Sequence, residues 1–167
     1  MVGAMDVWTL SRIFRWIHIV AAGAWLGEVV VVVFVLVPVA TRAAAEQRRE
    51  FMAAVFPRVF RLASVLSLTA LTAGAGLYLT TNNWHLALGR LVSGRWGWSI
   101  LIGASLGLTL TLFHFIAERR LEPAVTGIGE GGITEETAVK YLQIIPRVGL
   151  GILLVIFAAM MYAARGL

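Results

Sequence analysis

Four stretches of this chain stay apolar over about the 20 residues that a bilayer core requires, and charged or glycine-rich segments divide them. They cover residues 13–39, 62–80, 99–117 and 144–164. Within the first, His18, Ala21, Ala22 and Trp25 share one helical stripe, and Glu28 follows a turn later on the same side. Gly23 and Gly27 make a small-xxx-small step suited to close approach by a second helix. Pro38 is expected to end this span, because its ring cannot continue the hydrogen-bond ladder. The pattern predicts an all-α protein, an integral-membrane four-helix bundle that forms a single transmembrane domain over residues 1–167.

The segments between the spans differ in kind. Residues 1–10 read as a short lead at the membrane interface. Residues 41–61 carry five arginines, and residues 50–60 alternate charge with Phe51, Val55 and Phe56, as an amphipathic helix lying along the surface would. Residues 81–98 form a polar loop with Trp84, Trp96 and Trp98, a composition typical of the headgroup level. Gly74 and Gly76 near the end of the second span, and Gly103 and Gly107 in the third, suggest tight packing. Glu118, Arg119 and Arg120 close the third span. A connector with Gly127, Gly129, Gly131 and Gly132 then leads to Thr134-Glu135-Glu136, which reads as a helix start.

Composition sharpens this picture. The 167 residues are 59% hydrophobic and 14% charged, against about 25% charged in soluble domains. The first apolar run is longer than the core of a secretory signal and reads as a true span. The net charge of +5 does not indicate nucleic acid, because the basic residues cluster at helix ends, where they anchor and orient a bundle. Nine of the 14 Lys and Arg (Arg42, Arg48, Arg49, Arg58, Arg61, Arg119, Arg120, Lys140 and Arg147) fall in the first and third connections or at their edges. The positive-inside rule therefore places both termini and the tryptophan-rich loop outside, periplasmic if the membrane is a bacterial inner membrane. Cysteine is absent, which excludes disulfides, thiolate metal sites and covalently attached c-type haem.

The chemistry left is carried by His, Met and carboxylate. Intramembrane ionisable groups are functional candidates by default. At ~1.5 Å of rise per residue, His18 and His114 differ in depth by roughly 15 Å, too far for one haem clamped by both. Two sites fit better. Near the outer face, His18 shares its level with His85, Met160 and Met161, and His with Met suits haem iron or Cu(I). Near the inner face, Glu28 and His114 fall at similar depth, as a proton relay or as a carboxylate orienting a ligating imidazole. Each residue also has a plainer use. His18 could be an interfacial histidine bonded to backbone, His114 a polar bridge between helices, His85 a solvated loop residue, and Met160 and Met161 packing. Trp25 is either core or the wall of a flat cofactor slot.

The stretch His18-Ile-Val-Ala-Ala-Gly-Ala-Trp25-Leu-Gly27, Val37-Pro38, Arg58-Val-Phe-Arg61-Leu, Gly74-x-Gly76-Leu-Tyr-Leu and Phe113-His114-Phe115-Ile116 resembles the copper-resistance D-like family of small four-span bacterial proteins. More distantly it is similar to the four-helix, haem-binding membrane protoporphyrinogen oxidases. The resemblance spans about residues 12–165 and implies an inner-membrane bundle associated with copper uptake or b-type haem. Such proteins often carry a second glycine where this chain has Glu28, and a lysine near Gly103 that is missing here.

The expected function is therefore a b-type haem protein with an electron-transfer or oxidoreductase role. His18 is then the leading axial ligand, with His114, Met160 and Trp25 as further cofactor contacts and His85 as a further metal ligand. The alternatives are a copper-handling protein and a structural subunit of a larger membrane complex. Expected partners are the lipid bilayer and a redox partner or other membrane subunits, with a homo-oligomer compatible with the small-residue faces and no nucleic acid.

Overall fold

The computed structural model of the chain describes residues 6–126 and 135–165. The glycine connector at 127–132 and Thr134 lie outside the described residues. Among those described, all regular structure is helical. Helix α1 (Val7–Val31) runs through a π-turn (Val32–Leu36) into α2 (Val37–Arg42). Then come α3 (Ala45–Thr81), the short α4 (Leu88–Leu91), α5 (Gly94–Thr126) and α6 (Glu135–Arg165). Four of these rods are long and apolar enough to cross a membrane: Val7–Arg42, Ala45–Thr81, Gly94–Pro123 and Val139–Arg165. The protein is a multi-pass membrane protein built as an all-α four-helix bundle.

The rods exceed the spans read from the sequence, and the reasons are local. The chain before residue 13 is already helical, because the Asp6 carboxylate accepts from the Thr9 backbone N–H at 2.9 Å and caps α1. Pro38 does not end the first rod. It sits in the first turn of α2, where a missing N–H is tolerated. The preceding π-turn lets the inward face step five residues, from buried Val32 to buried Val37.

Residues 50–60 do not lie along the surface. They are the first half of α3, and Met52, Phe56 and Phe60 are buried in the bundle. The inward face of α3 continues at helical spacing through Ala63, Ser67, Ala70 and Ala73. Arg49, Arg58 and Arg61 are exposed, while Arg48 is half-buried one turn before Met52. The inward face changes from bulky to small along its length, and the packing follows. At the small end the α1 side chains interlock with glycines: a Cβ at Gly76 would stand 2.7 Å from the Phe14 ring, and one at Gly74 3.0 Å from the His18 ring. Gly103 is filled by the Met160 methyl, and Gly107 faces Leu71. Gly23 and Gly27 are not the close-approach step expected of them, because a Cβ at either would meet nothing within 4 Å.

The loop after α3 is tied down. Arg90 donates to Asn82 Oδ1 at 2.6 Å and lies 5.6 Å above the Trp96 ring, while Tyr78 stacks on Trp96 and donates to the Ala87 carbonyl at 2.8 Å. At the other end, Arg61 and Thr81 bracket ~30 Å of α3, the thickness of a hydrocarbon core. Thermal unfolding in detergent checks the packing. Gly76→Ala should lose about 1–3 kcal/mol, the usual penalty for overpacking. Gly23→Ala should be neutral or gain up to ~1 kcal/mol from helix propensity. Equal losses at both would place the close contact on the wrong face.

Candidate functional site

Where the inward face of α3 turns bulky, the four rods part around an open cleft of about 80 Å³. Trp25, Glu28 and Val32 reach it from the first rod, Phe60 from α3, His114 from α5 and Gly149 from α6. Trp25 is 5% exposed and packs with Ala63, Leu110 and Leu153 as the floor. Spacings of three and four residues bring 25, 28, 29 and 32 to this one face, Trp25 and Glu28 as the sequence suggested.

Glu28 and His114 therefore share a cleft. No hydrogen bond or ion pair joins them. The Glu28 Oε2 atom is buried with no hydrogen-bond partner among the described residues. His114 is engaged elsewhere: its Nε2 lies 3.2 Å from the Phe60 carbonyl and 3.0 Å from Ser64 Oγ. Ser64 donates its own proton to Glu118 Oε2 at 2.8 Å. A carbonyl only accepts, and the Ser64 proton is already committed. Nε2 must therefore carry the hydrogen that both oxygens receive. In the neutral ring this leaves Nδ1 as an acceptor. The carboxylate that orients His114 is Glu118, 3.8 Å away and one turn along the same helix, rather than Glu28. The expectation that Glu28 forms a contact pair with His114 is corrected accordingly.

Sequence reading missed Ser64 and took Glu118 as a boundary charge. The i, i+4 step from His114 to Glu118 was the available signal. One turn from His114, Thr111 is 2% exposed and its hydroxyl has no hydrogen-bond partner among the described residues. Ser67, 0% exposed, donates back to the Ser64 carbonyl at 3.2 Å. The α3–α5 seam is thus polar for several turns inside an otherwise apolar bundle.

The other candidates lie apart from the cleft. His18 places Nδ1 2.7 Å from the Ala70 carbonyl. On α3 this point is ten residues from Phe60, so the two histidines differ by ~15 Å in depth, the separation counted from the sequence. Donation from Nδ1 leaves Nε2 unprotonated, the polarity a metal ligand needs. Yet the ring packs on Gly74, Phe14 covers Gly76 and Met160 fills Gly103. The small residues at this level are covered by the chain's own side chains, which leaves His18 no slot for a planar macrocycle. His85 is exposed in the loop and Met161 is half-exposed. Among the described residues, no three His, Asp or Glu side chains converge as a metal site would require. A haem thus meets a free Nε2 without a slot at His18, and a cleft without a free Nε2 at His114.

A family model for a domain of unknown function, DUF4149, matches residues 20–126, and the chain belongs to that family. The matched stretch contains Trp25, Glu28, Ser64, His114 and Glu118, while His18 and Met160 fall outside it. No curated protein and no solved structure matches the chain.

Double-mutant cycles on thermal stability should separate the two carboxylates. Ser64→Ala and Glu118→Gln belong to one hydrogen-bonded network and should couple by about 0.5–3 kcal/mol. Glu28→Gln and His114→Gln share a cleft but no bond, and should couple more weakly than the first pair. Stronger coupling in the second pair than in the first would mean that Glu28 and His114 meet.

Proposed function

We propose that this DUF4149 protein binds an apolar small molecule within the membrane and exchanges protons with it. The observation that carries this is the Glu28 Oε2 atom, buried without a hydrogen-bond partner among the described residues, on a residue that lines an apolar cleft together with His114. A buried polar atom without a partner costs roughly 1–3 kcal/mol, more when charged. A chain that keeps one at an open cleft has an acceptor available for a guest.

The residues divide the work by chemistry. Trp25, Phe60 and Phe113 supply flat apolar walls. Glu28 and the free ring nitrogen of His114 accept hydrogen bonds from the guest. A proton taken up on Nδ1 would make an imidazolium whose Nε2–H already points at the Phe60 carbonyl and Ser64, with Glu118 behind them to meet the new charge. Ser64 then lies between cleft and carboxylate as a hydroxyl that can accept one proton while donating another.

A b-type haem or copper held at His18 has one observation behind it, the free Nε2 left by the bond to Ala70. The cleft reading explains more of the buried polar atoms and is preferred. We also place the protein in a bacterial inner membrane with both termini periplasmic, on the basic bias toward the end that holds Arg42, Arg48, Arg49, Arg58 and Arg61. The native chain has no cysteine, so single substitutions report cleanly. A cysteine at Ser93 should react with an impermeant reagent in intact cells, and one at Glu46 should not. The reverse pattern inverts the orientation.

The cleft is tested by filling it. An apolar aryl-diazirine should label Trp25, Phe113 or their neighbours on illumination. Gly149→Leu, whose added bulk enters the cleft, should cut labelling by roughly fivefold or more, about 1 kcal/mol of lost binding. Gly151→Leu, on an exposed position with nothing within 4 Å, should not. Labelling indifferent to Gly149→Leu would defeat the cleft reading. A purified protein with a haem absorption band that His18→Ala removes would move the function to haem.

A further inference from the structure

We infer that the guest of this cleft is an ammonium compound with an apolar body, bound through its N–H groups to Glu28. This rests on the reading of the cleft as a ligand site and assigns the chemistry of what enters it.

The polar chemistry of the cleft leans toward acceptors. Glu28 and His114, through Nδ1, accept, and the Trp25 indole N–H is the one donor of the lining side chains not committed elsewhere among the described residues. The His114 Nε2 hydrogen is held by Phe60 and Ser64, and the Ser64 hydrogen by Glu118. Its complement is therefore a group that donates. Charge narrows the class further, because a carboxylate among apolar groups is stabilised by a proton or by a cation. The cations of this region, Arg58, Arg61, Arg119, Arg120 and Arg147, are exposed, and none of them lines the cleft. Arg58 turns back onto the Ala54 carbonyl of its own helix. No basic side chain of the described residues takes the place opposite Glu28.

The walls suit the same guest. Trp25, Phe60 and Phe113 offer ring faces that attract a cation near their centres, and the rest of the lining is almost wholly aliphatic. An ammonium group on a hydrocarbon or aryl body matches both halves. Its source can be a free lipophilic amine or the headgroup of an amino lipid, since Phe60 and His114 lie within about a turn of Arg61 and Glu118, where α3 and α5 reach their charged ends.

The proton follows from the same geometry. Glu28 on α1 and His114 on α5 are the titratable groups lining the cleft, with Glu118 behind His114. The linings from α3 and α6 contribute none. Ammonium and proton compete for the same Glu28 oxygen, so binding of one releases the other.

The test uses the full chain in nanodiscs of phosphatidylcholine, with displacement of the aryl-diazirine label as the readout. Dodecylamine, dodecanol and dodecanoate carry one body and three headgroups. Dodecylamine should displace the label at concentrations roughly tenfold or more below dodecanol, with dodecanoate weakest, as expected for a charge-assisted hydrogen bond. In Glu28→Gln, still labelled and therefore folded, the amine and the alcohol should come within about twofold of each other. Equal potency of amine and alcohol in the native protein, or an amine preference that survives Glu28→Gln, overturns the ammonium assignment and leaves the cleft standing. Failure of the native protein to take up the label removes the cleft reading itself. Phosphatidylethanolamine added to the discs assigns the source: competition that Glu28→Gln abolishes identifies the lipid headgroup, and indifference identifies a free amine.

Discussion

The size gradient along the inward face of α3 governs this molecule. Ala63, Ser67, Ala70 and Ala73 let neighbouring helices approach until rings rest on glycine backbone, whereas Met52, Phe56 and Phe60 hold them apart. Helices in a bilayer gain nothing by leaving lipid for one another except packing and hydrogen bonds, so close contact must come from small residues. The narrow end therefore fastens the bundle. The wide end cannot be closed by the same residues, and a cleft is what remains. Proline fits the same division, since Pro57 and Pro146 both lie inside their helices in the wide half, where each removes one backbone N–H from the ladder.

At the wide end an uncompensated polar atom would be destabilising, and the chain treats its polar groups there in two ways. His114, Ser64 and Glu118 satisfy one another and the Phe60 carbonyl, so each proton has one defined place. Glu28 is left out of that arrangement, though it stands on the same cleft. Its separation, with an oxygen turned into apolar space, is the feature that a structural role does not explain.

Much of this was legible in the sequence, and the failures have identifiable causes. Trp25 and Glu28 could be assigned to one face because helical spacing is a property of the backbone. The ~15 Å offset of His18 from His114 could be counted because rise per residue is equally fixed. What counting cannot supply is rotation about each helix axis. That rotation turned Gly23 and Gly27 outward, brought Ser64 to His114, and turned Glu118 onto Ser64. The surface-helix assignment of residues 50–60 failed for a related reason: arginines on the exposed face hid the fact that Met52, Phe56 and Phe60 continue the spacing of the span that follows. The π-turn before Pro38 left no local mark in a run of valines, since it answers to the five-residue step between Val32 and Val37.

The depth of the cleft ties these points to what the site can exchange. Had Glu28 and His114 stood at mid-bilayer, a proton leaving them would cross ~15 Å of hydrocarbon to reach water. They stand instead near the charged ends of α3 and α5, and Glu118 is already 20% exposed. From the His114 ring the route outward is a single hydroxyl and a single carboxylate, with Arg119 and Arg120 next in the chain. An apolar guest can reach the same place from the other side, along the lipid. The cleft thus lies where lipid-soluble bodies and water-borne protons are both within reach, and Glu28 is the group placed to hold either one.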